Sequence, residues 1–410
     1  MGDFMISVEE ALRILLSNLP ERKVEQVPFQ SALGFILAED LVATCDIPPF
    51  YRSTLDGYTV HAADVENTPV ELRVAGEIRA GGGMPGKLNP GEAMAIMTGA
   101  PVPEGADAVQ MIEQCEVLDT GKRVRILAPV KAHENIAPRG YEAKAGGIVL
   151  ECGHRVGPAE IAVMATFGYG KVKVYSKPSV AILATGDELV EFDEMPQPGQ
   201  IRNSNAHCLS SQLRLMGIDA DYLGIARDNR DELRRKMLLG LERDVLIITG
   251  GVSMGEYDFV RNVFQDLDLK ILFSKVAIKP GKPTVFARRE NGLIFGLPGN
   301  PISALITFEC FVRPVLGRLC GMTKPDLPRM KGELLADMRQ APGRTAFFPA
   351  WVSWQDDGWK VEPLAWKNSA DIIGFTRANA TFIFPKDRDF LGRGEIVEIM
   401  LLPDFFVRQR

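Results

Sequence analysis

Four apolar runs of this 410-residue chain end in turns that carry acids or a hydroxyl, three of them together with glycine. "LATGDELV" (183–190) carries Asp187 and Glu188, and "IARDN" (225–229) carries Asp228. "TGGVSMGEYD" (249–258) carries Ser253, Glu256 and Asp258, and "GLPGNPIS" (296–303) places Ser303 behind Pro298 and Pro301. Glycine lets a ligand approach backbone N–H groups closely. Carboxylates beside a phosphate repel it unless a cation lies between, and Mg²⁺ is usually held by one or two carboxylates plus phosphate oxygens and water. In "VAIKPGKPTVF" (276–286), Lys279 and Lys282 flank Pro280-Gly281, a stiff backbone on which two ammonium groups can converge on an oxyanion. Any one of these loops also reads as an ordinary turn or helix cap. It is acids on three successive strand ends, with two lysines nearby, that point to chemistry.

Three polar stretches lie earlier in the chain. "PPFYRSTLDGYTV" (48–60) offers Arg52, Ser53 and Asp56, although Asp-Gly is also a plain turn signal. "IMTGAPVPEGAD" (96–107) reads as a hairpin-like loop holding Thr98, and "NIAPRGYEAKAGG" (135–147) brings Arg139 and Glu142.

The elements that must position these residues follow from periodicity. Residues 7–19 read as a helix, with Ser7 and Glu10 at capping-box spacing and an apolar stripe through Ala11, Leu12, Leu15, Leu16 and Leu19. Residues 45–145 alternate short β-like runs with Gly/Pro turns and predict a mostly β insert. The flanking segments 1–44 and 146–177 then form one N-terminal helical and linker domain. From 178 to 327, strands alternate with helices, which implies a mostly parallel sheet covered on both faces. "SVAILATG", "DADYLGIA" and "DVLIITGG" read as strands, as do "LKILFSKVAI", "PTVFARR" and "GLIFGLPG". In such sheets ligands bind beyond the carboxyl ends of the strands, where the glycine turns fall. Residues 328–410 are β-like again. The fold class is therefore α/β plus β.

Composition narrows the function classes. With 47 Lys plus Arg against 53 Asp plus Glu, the net charge of −6 disfavours non-specific nucleic-acid binding. The six cysteines form no C-x-x-C pair, and the four histidines show no metalloprotease spacing. No apolar run approaches the ~20 residues that span a bilayer, and the first residues lack a basic signal-peptide start. The expectation is a cytoplasmic protein.

Taken together, "PPFYRSTLDGY", "IMTGAPVPEGADAV", "LATGDEL", "TGGVSMGEYDF", "AIKPGKP", "GLPGNPIS" and "GRTAFF" (343–348) occur in order along nearly the whole chain. This series resembles the molybdopterin molybdenumtransferases of molybdenum-cofactor synthesis, a family that includes the C-terminal domain of gephyrin. The resemblance implies an elongated multi-domain chain with an α/β molybdopterin-binding domain, a β insert in the N-terminal domain and a C-terminal β domain. It implies a homodimer with active sites where subunits meet. The reaction it implies joins molybdate to adenylylated molybdopterin, releases AMP and uses Mg²⁺, with a molybdopterin adenylyltransferase as a delivering partner. Carried over residue by residue, Glu188, Asp228 and Asp258 would hold Mg²⁺ or position the adenylyl phosphate, with Ser253 in contact with it. Lys279, Lys282, Ser303, Arg344 and Ser369 would line the oxyanion site, walled by Pro283, Pro298 and Pro301. Asp56, Thr98, Arg139 and Glu142 would come from the N-terminal part.

Two departures stand out. The family's Gly-Glu-Asp after the arginine is here Gly140-Tyr141-Glu142, and its glycine before the serine matched to Ser369 is here Asn368. A molybdopterin adenylyltransferase, a scaffold on the same fold, and tungstate as substrate are the alternatives.

Overall fold

The structure is a computed structural model describing residues 5–251, 259–290, 292–355 and 358–408. Contacts divide the chain into two compact units. One comprises Met1–Val27, Gly34–Ala38 and Lys173–Arg410; the other comprises Pro28–Leu33 and Glu39–Val172.

The first unit contains a six-stranded sheet. Its strands Ala220–Ala226, Val180–Thr185, Val245–Thr249 and Gly292–Leu297 run parallel in that spatial order. Val285–Arg289 and then Lys270–Phe273 extend it antiparallel. Every residue of Val180–Thr185 and of Val245–Thr249 is buried, as strands covered on both faces require. Alternation sends Ile182, Ile247 and Phe295 into one core with Leu209 and Leu213, and Ala181, Leu246 and Ile248 into a second with Leu233 and Met237.

The N-terminal helix covers Val8–Leu16, and the Ser7 hydroxyl accepts from the Glu10 N–H at 3.1 Å. Its buried stripe of Val8, Ala11 and Leu15 completes the first of these cores. The stretch read as one strand, "LKILFSKVAI", is two. Lys270–Phe273 ends the α/β sheet, while Ile278–Lys279 pairs in parallel with the strand Thr345–Gln355.

That last strand belongs to a C-terminal sheet that closes on itself. Thr345–Gln355 pairs with Gly358–Pro363, which pairs with Arg329–Leu334, then Ile396–Leu401, then Ala380–Phe384, which returns to Thr345–Gln355. Closure removes free strand edges. The barrel is filled by Phe348, Phe382, Val361, Ile399 and their neighbours. At Gly332 a Cβ would lie 2.7 Å from Ile399 Cδ1, so the barrel wall leaves no room for a side chain there.

The second unit is built on a six-stranded sheet. Its spatial order is Ala108–Met111, Gly57–Val60, Glu92–Ile96, Val70–Ile78, Arg123–Ile126 and Cys115–Leu118. Short pairs, Arg52–Ser53 with Ile136–Ala137 and Leu41–Val42 with Ile148–Leu150, and the helix Pro158–Thr166 complete it.

Candidate functional site

The carboxyl ends of the parallel strands open into a cleft of about 1080 Å³ that the first unit encloses by itself. Residues expected from five separate stretches of sequence converge there: Glu188, Lys279, Lys282, Pro283, Pro298, Pro301, Ser303, Arg344 and Ser369 all line it. Thr249, Gly250 and Gly251 form part of its floor. Gly250 has φ +86°, and a Cβ on it would lie 2.3 Å from the Thr185 carbonyl oxygen, so only glycine fits this turn.

The lysine turn is fixed from beneath. Gly281 has φ +118°, and a Cβ there would sit 2.3 Å from Thr307 Cγ2. The Thr284 hydroxyl donates to the Gly281 carbonyl at 2.6 Å. Lys279 Nζ lies 5.6 Å from the Phe348 ring centroid, within cation–π reach. Arg344 sits just before the barrel strand that pairs with Ile278–Lys279, and the Gln340 side chain donates to its carbonyl at 3.1 Å. Among the described residues no ion-pair partner is recorded for Lys279, Lys282 or Arg344. Three unneutralised cations around one cleft favour a small anion.

Ser303 is 3% exposed and lies in the first turn of a long helical segment. That segment runs as α-helix Pro301–Thr307, a π-helical turn Phe308–Val312 and α-helix Arg313–Leu319. Ser369 is held opposite: its hydroxyl accepts from Asn300 Nδ2 at 2.9 Å, and its carbonyl accepts from the Ile302 N–H at 3.1 Å.

The acids occupy the neighbouring strand ends. The Glu188 carboxylate lies over Gly186, where a Cβ would come within 2.4 Å of its Oε2. Asp228 does not line the cleft itself. Its N–H donates to Asp187 Oδ1 at 3.0 Å, so the two turns are tied together. Burial, then the charges of Asp187 and Glu188, push the Asp228 carboxyl above the usual range. Among the described residues no three His, Cys, Asp or Glu side chains converge into a metal cage. The donor set suits the open, oxygen-rich shell of Mg²⁺, in which one or two carboxylates leave positions for phosphate and water. Ser253, Glu256 and Asp258 lie outside the described residues.

The second unit holds the other four expected residues. Asp56 Oδ1 accepts from both the Thr98 N–H, at 2.7 Å, and the Thr98 hydroxyl, at 3.0 Å. The backbone N–H of Thr98 is the main cause of the lowered Asp56 pKa. Asp-Gly does more here than turn: a Cβ on Gly57 would lie 1.9 Å from the Gln110 carbonyl, so the strand starting at Gly57 needs glycine. Arg139 Nε donates to Asp46 at 2.6 Å, and Glu142 is paired with Arg52.

Three polar side chains of the cleft went unnoticed in the sequence. Asn205 Nδ2 donates to Thr249 Oγ1 at 3.0 Å and to the Gly299 carbonyl at 2.8 Å, joining two turns distant in sequence. Asn300 secures Ser369. Thr185, 1% exposed, lies beneath Gly250. "SN" ahead of an amphipathic helix reads as a helix start, which hides the cross-links its asparagine makes.

Comparison with known proteins agrees with this architecture. Family models match in series along the chain: "MoeA N-terminal region (domain I and II)" at residues 6–168, "Probable molybdopterin binding domain" at 181–318, and "MoeA C-terminal region (domain IV)" at 331–402. The molybdopterin molybdenumtransferase of Staphylococcus epidermidis is 36% identical over 404 residues, covering 97% of this chain and 95% of that protein. The Staphylococcus aureus protein of the same name is 34% identical over 401 residues, with the same coverage. Among solved structures, the molybdopterin biosynthesis moeA protein of Pyrococcus horikoshii superimposes with a TM-score of 0.83 at 30% identity, covering 97% of this chain and 100% of that one. Sequence relatives along nearly the full length, a matching fold and the anion-ready cleft converge on one conclusion: the chain belongs to the molybdopterin molybdenumtransferase family, enzymes of molybdenum-cofactor synthesis.

Proposed function

We propose that the chain transfers molybdenum from molybdate to adenylylated molybdopterin, releasing AMP, with Mg²⁺ in attendance. One observation carries the reading: two lysines, an arginine and two serines converge in a single cleft beside a glycine turn built for close backbone approach. Molybdate is a tetrahedral dianion and needs both donors and positive charge. Lys279, Lys282 and Arg344 supply the charge, while Ser303 and Ser369 supply hydroxyl donors. The adenylyl phosphate rests against the Gly250-Gly251 backbone, next to the acids. Glu188 and Asp228, with Asp258, would hold Mg²⁺, which would supply positive charge beside the phosphate. Losing AMP calls for charge neutralisation and alignment more than for a covalent nucleophile. The pattern fits: among the described residues no cysteine or histidine lines the cleft.

The proposal includes a cytoplasmic homodimer. Asp56, Thr98, Arg139 and Glu142 belong to the second compact unit, and in this reading they complete the active site of a second copy. Their internal hydrogen bonds support the idea of a preformed polar edge, ready to meet a cleft.

The test is direct. Purified protein given Mg²⁺, molybdate and adenylylated molybdopterin should release AMP, and chelating the metal should stop it. No release above background overturns the reading. Asp258→Ala should remain folded and lose turnover; retained turnover would remove Asp258 from the mechanism.

A further inference from the structure

Two atoms at the floor of the cleft are buried and have no hydrogen-bond partner among the described residues: Thr185 Oγ1 and Asn205 Oδ1. Leaving such groups unpaired carries an uncompensated desolvation cost that a ligand's hydrogen bond would remove. Neither is an accident of side-chain orientation. The Gly299 carbonyl can only accept, so the Asn205 nitrogen must face it, and Oδ1 is fixed as the group left over. Thr185 is the last residue of a fully buried strand and its hydroxyl lies against the Gly250 turn, 3.4 Å from where a Cβ would be. Asn205 opens the helix Asn205–Leu215, whose Ala206 N–H donates to Asn203 Oδ1 at 3.2 Å, so the helix start does not call on the Asn205 side chain.

We propose that Thr185 and Asn205 form a substrate-reading pair that takes a proton-bearing group of the bound organic substrate. An amide oxygen can accept but not donate. The ligand atom facing Asn205 Oδ1 therefore carries an N–H or O–H, and a deprotonated phosphate or molybdate oxygen is excluded from that point. Thr185, able to donate or accept, adapts to its neighbour. The cleft is thereby polarised. Its lysine, arginine and serine side takes the oxyanion; its Thr185–Asn205 floor takes the uncharged polar part of the substrate. Asn205 acts twice, because its nitrogen also ties the Thr249-Gly250 turn to the Gly299 turn. The inference rests on the proposed reaction for its ligands.

Thr185→Val tests it cleanly. The valine is isosteric and removes only a hydroxyl that has no partner among the described residues. The melting temperature should hold or rise, while organic-substrate affinity falls about 3- to 10-fold, the worth of one hydrogen bond. Molybdate affinity, titrated separately, should stay unchanged. AMP titration and the KM for adenylylated molybdopterin distinguish the source of the proton. Weaker AMP binding assigns it to the nucleotide; a raised KM with unchanged AMP binding assigns it to the pterin. If both are unchanged in Thr185→Val, the pair does not read substrate and the inference falls. Asn205→Ala, compared per folded molecule, should lower the same affinity further through loss of the turn-to-turn link. An effect confined to melting temperature would make Asn205 merely structural and overturn its part. A wild-type protein that binds neither AMP nor molybdate would instead sink the proposed reaction, which separates the two failures.

Discussion

The cleft of the α/β unit and the polar edge of the N-terminal unit both gather charged residues, but they manage them in opposite ways. In the edge, each charge meets a partner from its own unit: Asp56 with Thr98, Asp46 with Arg139, Glu142 with Arg52. In the cleft, Lys279, Lys282 and Arg344 line one space without an ion-pair partner among the described residues. Paired charges hold loops in place. Unpaired like charges raise the energy of the empty site and lower it again when an anion arrives. The difference separates a surface organised in advance from a site awaiting its ligand.

That contrast can be broken, and the largest effects belong to the cleft. Lys279→Ala should weaken molybdate binding roughly 10- to 100-fold, if its charge-assisted contact is worth ~1.5–3 kcal/mol. An unchanged titration would remove Lys279 from the anion seat. Arg139→Ala is the matching change on the paired edge. It should leave molybdate affinity within about twofold, since its guanidinium is already engaged by Asp46; a loss as large as that of Lys279→Ala would erase the distinction.

Backbone support comes next. Gly281→Ala forces a Cβ against Thr307 at a φ that L residues rarely adopt. It should destabilise the protein by about 1–3 kcal/mol in denaturant titrations, and weaken anion binding as the lysines part. A neutral outcome would mean the turn is not set by that contact.

The smallest effect is on the paired edge. The Asp46 carboxyl is held below its usual range by the Ala145 N–H and then by Arg139. A depressed carboxylate stabilises the fold above its unfolded pKa near 4, and that contribution fades as pH falls through the folded value. The stability gap between wild type and Asp46→Asn should be full at pH 6 and close below pH 4. A gap independent of pH would show that Asp46 acts by shape and not by charge.

Much of this arrangement was legible in the sequence. The glycine turns, the lysine pair around Pro280-Gly281 and the buried strand runs are local features, and local chemistry determines them. Ser303, Pro298 and Pro301 were placed by a helix-start pattern. Arg344 and Ser369 were found through the family resemblance, because a lone arginine after a glycine and a lone serine carry no pattern of their own. What escaped depends on tertiary contact. Asn205 and Thr185 matter through atoms that meet, or fail to meet, groups far along the chain. The division of "LKILFSKVAI" into two strands also escaped, since both halves have the same β-favouring composition and only the barrel decides which sheet receives Ile278–Lys279.

That short pairing sets a gauge. Ile278 lies opposite Thr345 and Lys279 opposite Ala346, so the backbones bearing Lys279 and Arg344 are spaced by a strand ladder, whose pitch of about 4.8 Å no side-chain substitution alters. A seat whose width is ruled by main-chain hydrogen bonds sorts its guests by radius and charge. Two tetrahedral oxyanions of equal size, molybdate and tungstate, would pass through it alike, and any preference between them would have to arise later, in the chemistry of the metal itself.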